Sequence, residues 1–267
     1  MANLSTEPFR LLFVGDVVGQ PGRSAITALL PDLRSELGAH MVVVNGENSA
    51  GGFGITAKIA HELLAAGADA ITLGNHVWDQ KQFLSEIASL DRVIRPLNYP
   101  PGAPGRGAAW FEADGEQVLV MNLLGRLFMQ DLDDPFRAAD EVLSESLRGV
   151  ISLCDVHAEA TSEKQALGWH LDGRVSAVVG THTHVPTADC RILPGGTGYV
   201  SDVGMVGPRD SVIGVEVQAA VERFRTGIPA RFLTASGVVT FNSVLVTIDR
   251  LTGRAASIQR IDREHTK

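Results

Sequence analysis

The chain is poor in cysteine. Cys154 and Cys190 are the only two in 267 residues, so neither a disulfide framework nor a thiolate-bound structural zinc is indicated. Cys154 lies inside an apolar run and reads as a small buried hydrophobe. No apolar stretch approaches the roughly 20 residues that a bilayer-spanning helix needs. The opening segment, Met1 to Pro8, has no basic cluster followed by an apolar run, so no secretory leader is expected and the reading is cytoplasmic. An excess of positive charge is missing too: 23 Lys and Arg stand against 31 Asp and Glu, a formal net charge of −8. That balance argues against long nucleic acids, which bind basic patches and release counterions. It leaves a small anionic substrate open, because bound cations reverse the local field of a pocket.

What remains is ordinary globular material, 45% hydrophobic and 20% charged. The first half alternates apolar runs with helical patterns. Strands are expected at Arg10–Gly15, Met41–Asn45 and Ala70–Leu73, and helices at Arg23–Leu37, from the cap Thr56 to Ala66, and at Asp79–Ala88. The stretch Arg95–Gly107 is too rich in Pro and Gly for either element. Further strands are expected at Val118–Leu123, Val150–Leu153 and Val175–Val179, with helices at Pro135–Leu147 and Glu163–Leu171. Gly198–Ser201, Val238–Ile248 and Ala255–Ile261 suit antiparallel pairing, the last two as a hairpin over Asp249–Gly253. The alternation implies a largely parallel α/β sheet, and the later runs a second, partly antiparallel sheet packed on it. No linker, repeat or low-complexity tract divides the chain, so 1–267 reads as one domain.

Five apolar runs end in side chains that bind metals. Leu11–Val14 is followed by Asp16, Met41–Val44 by Asn45, Glu47 and Asn48, and Ala70–Leu73 by Asn75 and His76. Val150–Leu153 is followed by Asp155 and His157, and Val175–Val179 by His182 and His184. Ligands of α/β sheets bind outside the carboxyl ends of the strands, so these five ends point to one site. Asp16, Glu47, Asn48, Asn75, His157, His182 and His184 offer oxygen and nitrogen but no sulfur, which suits Mn, Fe or Zn. They exceed the needs of one tetrahedral ion; two ions sharing a carboxylate would use them all.

Each residue has a plainer structural reading. Asp16 suits a turn or helix cap, Asn45-Gly46 and Gly74-Asn75 suit turns, and His157 suits a hydrogen-bonded core histidine. Agreement across five strand ends outweighs them. Four of the eight histidines fall at these ends, whereas His40, His61, His170 and His265 do not and are assigned to structure or solvent. Gly15 to Gly22 lacks the Gly-x-Gly-x-x-Gly fingerprint, and Asp16 would repel a pyrophosphate, which disfavours a nicotinamide-binding oxidoreductase. Backbone N–H groups near Gly22 and Gly52 remain candidates for a phosphate oxygen.

The segments Phe13-Val14-Gly15-Asp16-Val17-Val18-Gly19, Val44-Asn45-Gly46-Glu47-Asn48, Thr72-Leu73-Gly74-Asn75-His76, Asp155-Val156-His157 and Gly180-Thr181-His182-Thr183-His184 follow one order. It resembles that of the calcineurin-like metallophosphoesterases, and more narrowly the YmdB-like 2′,3′-cyclic-nucleotide phosphodiesterases. The 202–214 loop is also similar to that subgroup, and the likeness spans Arg10 to Ile261. Val18 stands where the broader superfamily has a His, and Glu47 where it has an Asp; the subgroup shares both changes. The resemblance implies a four-layer α/β/β/α sandwich, Fe or Mn as metals, and a homo-oligomer. It implies one metal on Asp16, Glu47, Asn48 and His184, a second on Glu47, Asn75, His157 and His182, and His76 as general acid. It further implies that 2′,3′-cyclic nucleotides are hydrolysed by a water activated between two ions about 3.5–4 Å apart. A phosphomonoesterase, or a nucleotide- or metal-sensing regulator with little turnover, remains the alternative. The sequence leaves Arg209 open between phosphate binding and solvent.

Overall fold

A computed structural model describes residues 7–144 and 149–266. Two six-stranded sheets dominate it. The first runs in the order Ala255–Arg260, Ser243–Ile248, Phe9–Val14, Met41–Asn45, Ala70–Thr72 and Val93–Ile94. Its later half is parallel, and the 243–248 and 255–260 strands pair antiparallel as the expected hairpin. The second orders Arg191–Ile192, Gly198–Val200, Ala177–Thr181, Ile151–His157, Glu116–Leu124 and Ala108–Ala113, parallel at its centre and antiparallel at both edges.

Alternation along the strands feeds three apolar layers, because successive side chains point to opposite faces. Phe9, Leu11, Phe13, Met41 and Val43 meet Val118, Val120, Leu153, Ala177 and Val179 between the sheets. Leu12, Val14, Val42 and Val44 face the other way, onto Ile26, Leu30 and Leu63 of the helices Gly19–Leu37 and Ala57–Ala65. On the far side, Met121, Leu123 and Val156 pack on Ala139, Leu167 and Leu171 of Pro135–Leu143 and Thr161–Leu171. Strands buried on both faces explain the unbroken apolar runs in the sequence. The result is the expected α/β/β/α sandwich. Among the described residues no helix is long and apolar enough to cross a membrane.

Several expectations need correction. The first helix begins at Gly19, not Arg23; Pro21 falls in its first turn, where no intrahelical N–H bond is required. Only Phe83–Glu86 and a 3₁₀ turn at Ile87–Ser89 form within Asp79–Ala88. The Asp79 and Gln80 side chains are instead engaged with His76 and the Phe53 carbonyl. Gly198–Val200 runs parallel to Ala177–Thr181, and only its other side pairs antiparallel. Val238–Ile248 breaks at Asn242, whose side chain accepts from Met205 N and donates to Asp262. Its first part, Val239–Phe241, joins Met205–Pro208, Arg263–His265 and Asp16–Val17 in a small third sheet. The end of the expected Pro135–Leu147 helix, residues 145–147, lies outside the described residues.

The third sheet matters for function because it seats Asp16. Asp16 N donates to Gly204 O at 3.1 Å, and Asp16 stands opposite Met205 in the parallel register. A Cβ on Gly15 would lie 2.0 Å from the Gly204 oxygen, so only glycine lets the two backbones meet.

Candidate metal centre

All seven residues expected as ligands meet at the carboxyl ends of the two sheets. Asp16, Glu47 and His157 are fully buried, and Asn48 nearly so. Glu47, His157 and His182 place donor atoms within 4.8 Å of one another. His157 Nε2 lies 3.0 Å from Glu47 Oε1, 3.1 Å from Asn75 Oδ1 and 3.1 Å from His182 Nδ1. On the other side of Glu47, Asn48 Nδ2 is 3.1 Å from the same Oε1 and 2.9 Å from His184 Nε2. His184 Nε2 is 4.0 Å from Asp16 Oδ1. Glu47 Oε1 thus stands between the His157–Asn75–His182 group and the Asn48–His184 pair, and Asn48 meets it with its amide nitrogen.

The hydrogen bonds behind the ligands fix which ring nitrogens face inward. Thr181 Oγ1 donates to Asp155 Oδ1 at 2.7 Å, so it accepts from His157 Nδ1 at 2.8 Å. Asp155 is held in turn by Thr72 and by Asn45 Nδ2 at 3.0 Å. His184 Nδ1 can only donate to the Ile213 carbonyl, 2.8 Å away. His182 Nε2 lies 3.1 Å from the Glu159 carboxylate. In each ring, when neutral, the outer nitrogen holds the proton and the inner one presents a lone pair, the arrangement usual for metal-bound imidazole.

Converging lone pairs call for a cation. His157 Nε2, His182 Nδ1, Asn75 Oδ1 and Glu47 Oε1 are all acceptors crowded at about hydrogen-bond distance, and one proton cannot serve them all. Asp16 Oδ1 and Asn48 Oδ1 are buried with no hydrogen-bond partner. Orphaned buried oxygens are costly unless an ion takes them. The donor set therefore fits hard or borderline metal ions.

Electrostatics point the same way. Burial pushes the Asp16 carboxyl up to about 6, against the pull of His184 and His157. Burial also works against ionised Glu47, but the charge and hydrogen bond of His157 outweigh it and hold Glu47 down at about 2. His157 is disfavoured as a cation by burial, yet Glu47 and Asp16 raise it to about 9. Burial, then His157, depresses His182 to about 3. Without a metal, positive charge is drawn onto His157; a bound cation would supply it instead and release that proton.

Backbone geometry sharpens the cluster. A Cβ at Gly74 would lie 2.2 Å from Glu47 Oε2 and 2.4 Å from His157 Nε2, so this turn must be glycine. Asn45 Oδ1 accepts from Glu47 N at 3.1 Å, so its turn chemistry serves to aim the shared carboxylate. His182 and His184 both have positive φ, 100° and 64°, a conformation that non-glycine residues hold only where the surroundings impose it.

His76 sits on the rim, not among the ligands. Its backbone N–H donates to Glu47 Oε2 at 3.2 Å and its Nδ1 lies 2.8 Å from Asp79 Oδ2. Gly22 N donates to Val18 O and Gly52 N to Asn48 O, so these two N–H groups are not free for a phosphate oxygen. Arg209 is tied to Asp210 and Glu264, which raise its already high pKa. The sequence reading missed Asp79, Glu159, Thr181, Lys164 and Asp202 as supports. Glu159 was within reach, two residues past His157 on the same alternation. Lys164 was too, as a charge sharing a helix face with Leu167 and Leu171.

The YmdB-like protein family model matches residues 12–261. The chain is 50% identical over 253 residues to the 2′,3′-cyclic-nucleotide 2′-phosphodiesterase of Bacillus subtilis (strain 168), covering 94% of this chain and 96% of that one. A crystal structure of a hypothetical protein from Thermus thermophilus superposes with a TM-score of 0.91 at 46% identity, covering 96% of this chain and 100% of that one. A structure of a novel phosphatase from Mycoplasma pneumoniae also gives 0.91, at 34% identity, covering 98% and 96%. Sequence and fold agree, and the chain belongs to the YmdB-like protein family.

Proposed function

We propose that the protein is a dinuclear metal-dependent phosphodiesterase acting on 2′,3′-cyclic nucleotides. The observation that supports it most is the convergence of Glu47 Oε1, Asn75 Oδ1 and the inner nitrogens of His157 and His182, beside His184 Nε2 and the two partnerless oxygens of Asp16 and Asn48. Asp16, Asn48, His184 and Glu47 would hold one ion; Asn75, His157, His182 and Glu47 would hold the other. The ions, iron or manganese by the family resemblance, would polarise the phosphate and bring a water's pKa toward neutrality.

The protein's own groups do the rest. The buried strand ends hold the ligands rigidly, so little reorganisation accompanies the reaction. A ribose alkoxide is a poor leaving group and needs a proton as the P–O bond breaks. His76 would give it: with Nδ1 donating to Asp79, the doubly protonated ring has Nε2–H as its remaining donor. The relative from Bacillus subtilis carries this activity in its name, and the same donor set supports it here.

The test joins elemental analysis to turnover on one purified sample. Two equivalents of Fe or Mn per chain, with cyclic diester hydrolysed faster than a phosphomonoester, is the expected result. Preference for the monoester would make it a phosphomonoesterase. Tight nucleotide binding with metals present and no hydrolysis would make it a regulator.

A further inference from the structure

A cavity of about 320 Å³ opens outward from the metal ligands, near the lower end of the roughly 300–1,000 Å³ typical of small-molecule sites. Its inner end is polar, formed by Glu47, Asn48, His76, His182 and His184. Its outer wall is apolar, built by Val18, Phe53, Ile213, Val215, Phe232 and Leu233. Phe53, Ile213 and Leu233 remain 40%, 49% and 47% exposed. Single exposed hydrophobes are ordinary, but three around one cavity beside a metal cluster call for an occupant.

The wall is fixed relative to the ligands. The Ile213 carbonyl accepts from His184 Nδ1, and Ile213 has φ 48°, strained for a β-branched residue. Glu216 N donates to Leu233 O at 3.0 Å and Ala235 N to Gly214 O at 2.9 Å, which locks the 213–216 turn to the 232–235 segment. Gln80 Nε2 donates to Phe53 O at 2.8 Å, and the Phe53 ring lies edge-on to His76, centroids 5.1 Å apart at 69°. Both aromatic and aliphatic parts are thus braced against the residues that would handle the phosphate.

We infer that this wall is the nucleobase subsite, and that it holds the base by its apolar face without reading its edge. The inference rests on the diesterase reading above. In a 2′,3′-cyclic nucleotide only the ribose separates the reacting phosphorus from the base, so a phosphate at the ligands places the base in the same cavity. Beyond the candidate ligands and His76, the hydrogen-bonding side chains lining it are Glu159, Thr183 and Thr234. Glu159 is already engaged with His182, and Thr183 with Asp202. That leaves the Thr234 hydroxyl, which can donate or accept, so the lining discriminates weakly between ligands, by tens to hundreds rather than the ten-thousandfold of a site built to hydrogen-bond one edge. Base–aromatic contact tolerates any base, because every base has a π-face.

The test compares three cyclic diesters in the metal-loaded enzyme: adenosine 2′,3′-cyclic phosphate, its uridine analogue, and glycerol 1,2-cyclic phosphate, which has no base. Wild type is expected to hydrolyse both nucleotides with kcat/KM within about tenfold of each other and well above the base-free ester. Phe53→Ala and, separately, Leu233→Ala should raise KM for both nucleotides by about tenfold, in line with the loss of one stacking or apolar contact. Leu233→Ala should leave kcat/KM on glycerol 1,2-cyclic phosphate unchanged, and Phe53→Ala, whose ring also meets His76, should lose more on the nucleotides than on that ester. Wild-type rates equal with and without a base would overturn the subsite and leave the diesterase standing. So would equal losses on all three substrates in the variants, which would mean Phe53 acts through His76. No hydrolysis of any of the three would overturn the diesterase reading, and the subsite with it.

Discussion

Lys164 Nζ donates to Asp202 Oδ2 across 2.7 Å, with both side chains 1% exposed. The same oxygen accepts from Thr183 N at 3.1 Å and Thr183 Oγ1 at 2.8 Å, and Oδ1 accepts from Gly204 N at 2.8 Å. Thr183 lies between the two positive-φ histidines. The pair therefore clamps the strained His182–His184 turn from behind, and the Gly204 bond ties that clamp to the backbone that seats Asp16.

Removing either partner strands a buried charge, at a cost of about 3–5 kcal/mol. The two losses should differ. Lys164→Met leaves Asp202 with its three other donors, whereas Asp202→Ala strands Lys164 and also frees Thr183. Urea unfolding should place Asp202→Ala at the upper end of that range and Lys164→Met at or below the lower end. Equal midpoints for the two variants would mean the Thr183 contacts contribute nothing.

Gly74 tests the centre without replacing a candidate ligand. Gly74→Ala drives a methyl into Glu47 Oε2 and His157 Nε2, so the shared carboxylate must move. The purified variant should fold, judged by circular dichroism, and hold less than half the wild-type metal by elemental analysis. Full metal occupancy in a folded Gly74→Ala protein would remove Glu47 from the shared position.

The strand ends were legible because burial on both sheet faces makes the runs continuous, and polar side chains just beyond them stand out. That pattern named every residue the structure brings together at the centre. It could not show that Ile151–His157 carries Asp155 and His157 on the strand itself. Nor could it show that Asp155 braces Thr72, Thr181 and Asn45 instead of facing the centre. The small third sheet was hidden for another reason: its two-residue Asp16–Val17 strand has no period to read, and its partners come from about 190 residues further on. The Asp114-Gly115 hairpin, with both residues at positive φ, was readable from its turn dipeptide and was passed over. The helix Val217–Thr226 was hidden by its apolar side chains: Val217, Val221 and Phe224 are exposed, so its pattern marks no core.

Asp189 gives a pH dependence that involves no candidate ligand. Burial opposes its ionised form, but bonds from Ser201 Oγ at 2.6 Å, Thr187 Oγ1 at 2.7 Å and Ser201 N at 3.1 Å outweigh it and hold its pKa below the ordinary 3.8. A depressed folded pKa contributes stability above the unfolded value and loses it as pH falls through the folded one. Asp189→Asn should lower Tm at neutral pH, and the gap from wild type should close below about pH 4. A gap that stays constant to the lowest measurable pH would show that the ionised carboxylate is not what holds the 187–201 turn.

His76 carries the sharpest prediction, because its hydrogen bonds to Asp79 and Glu47 separate proton transfer from metal holding. Only its backbone N–H touches a candidate ligand, Glu47 Oε2 at 3.2 Å, and glutamine keeps that bond. His76→Gln should therefore retain the wild-type metal content. Its turnover of a 2′,3′-cyclic nucleotide should fall by about 10²–10⁴-fold, the range for a positioned general acid. The loss should nearly vanish on a diester whose leaving group is p-nitrophenolate, since that anion departs without a proton. An equal fall on both esters, with metals in place, would take the acid role from His76 and leave it a wall of the cavity. A variant that lost its metals would instead place the side chain among the ligands.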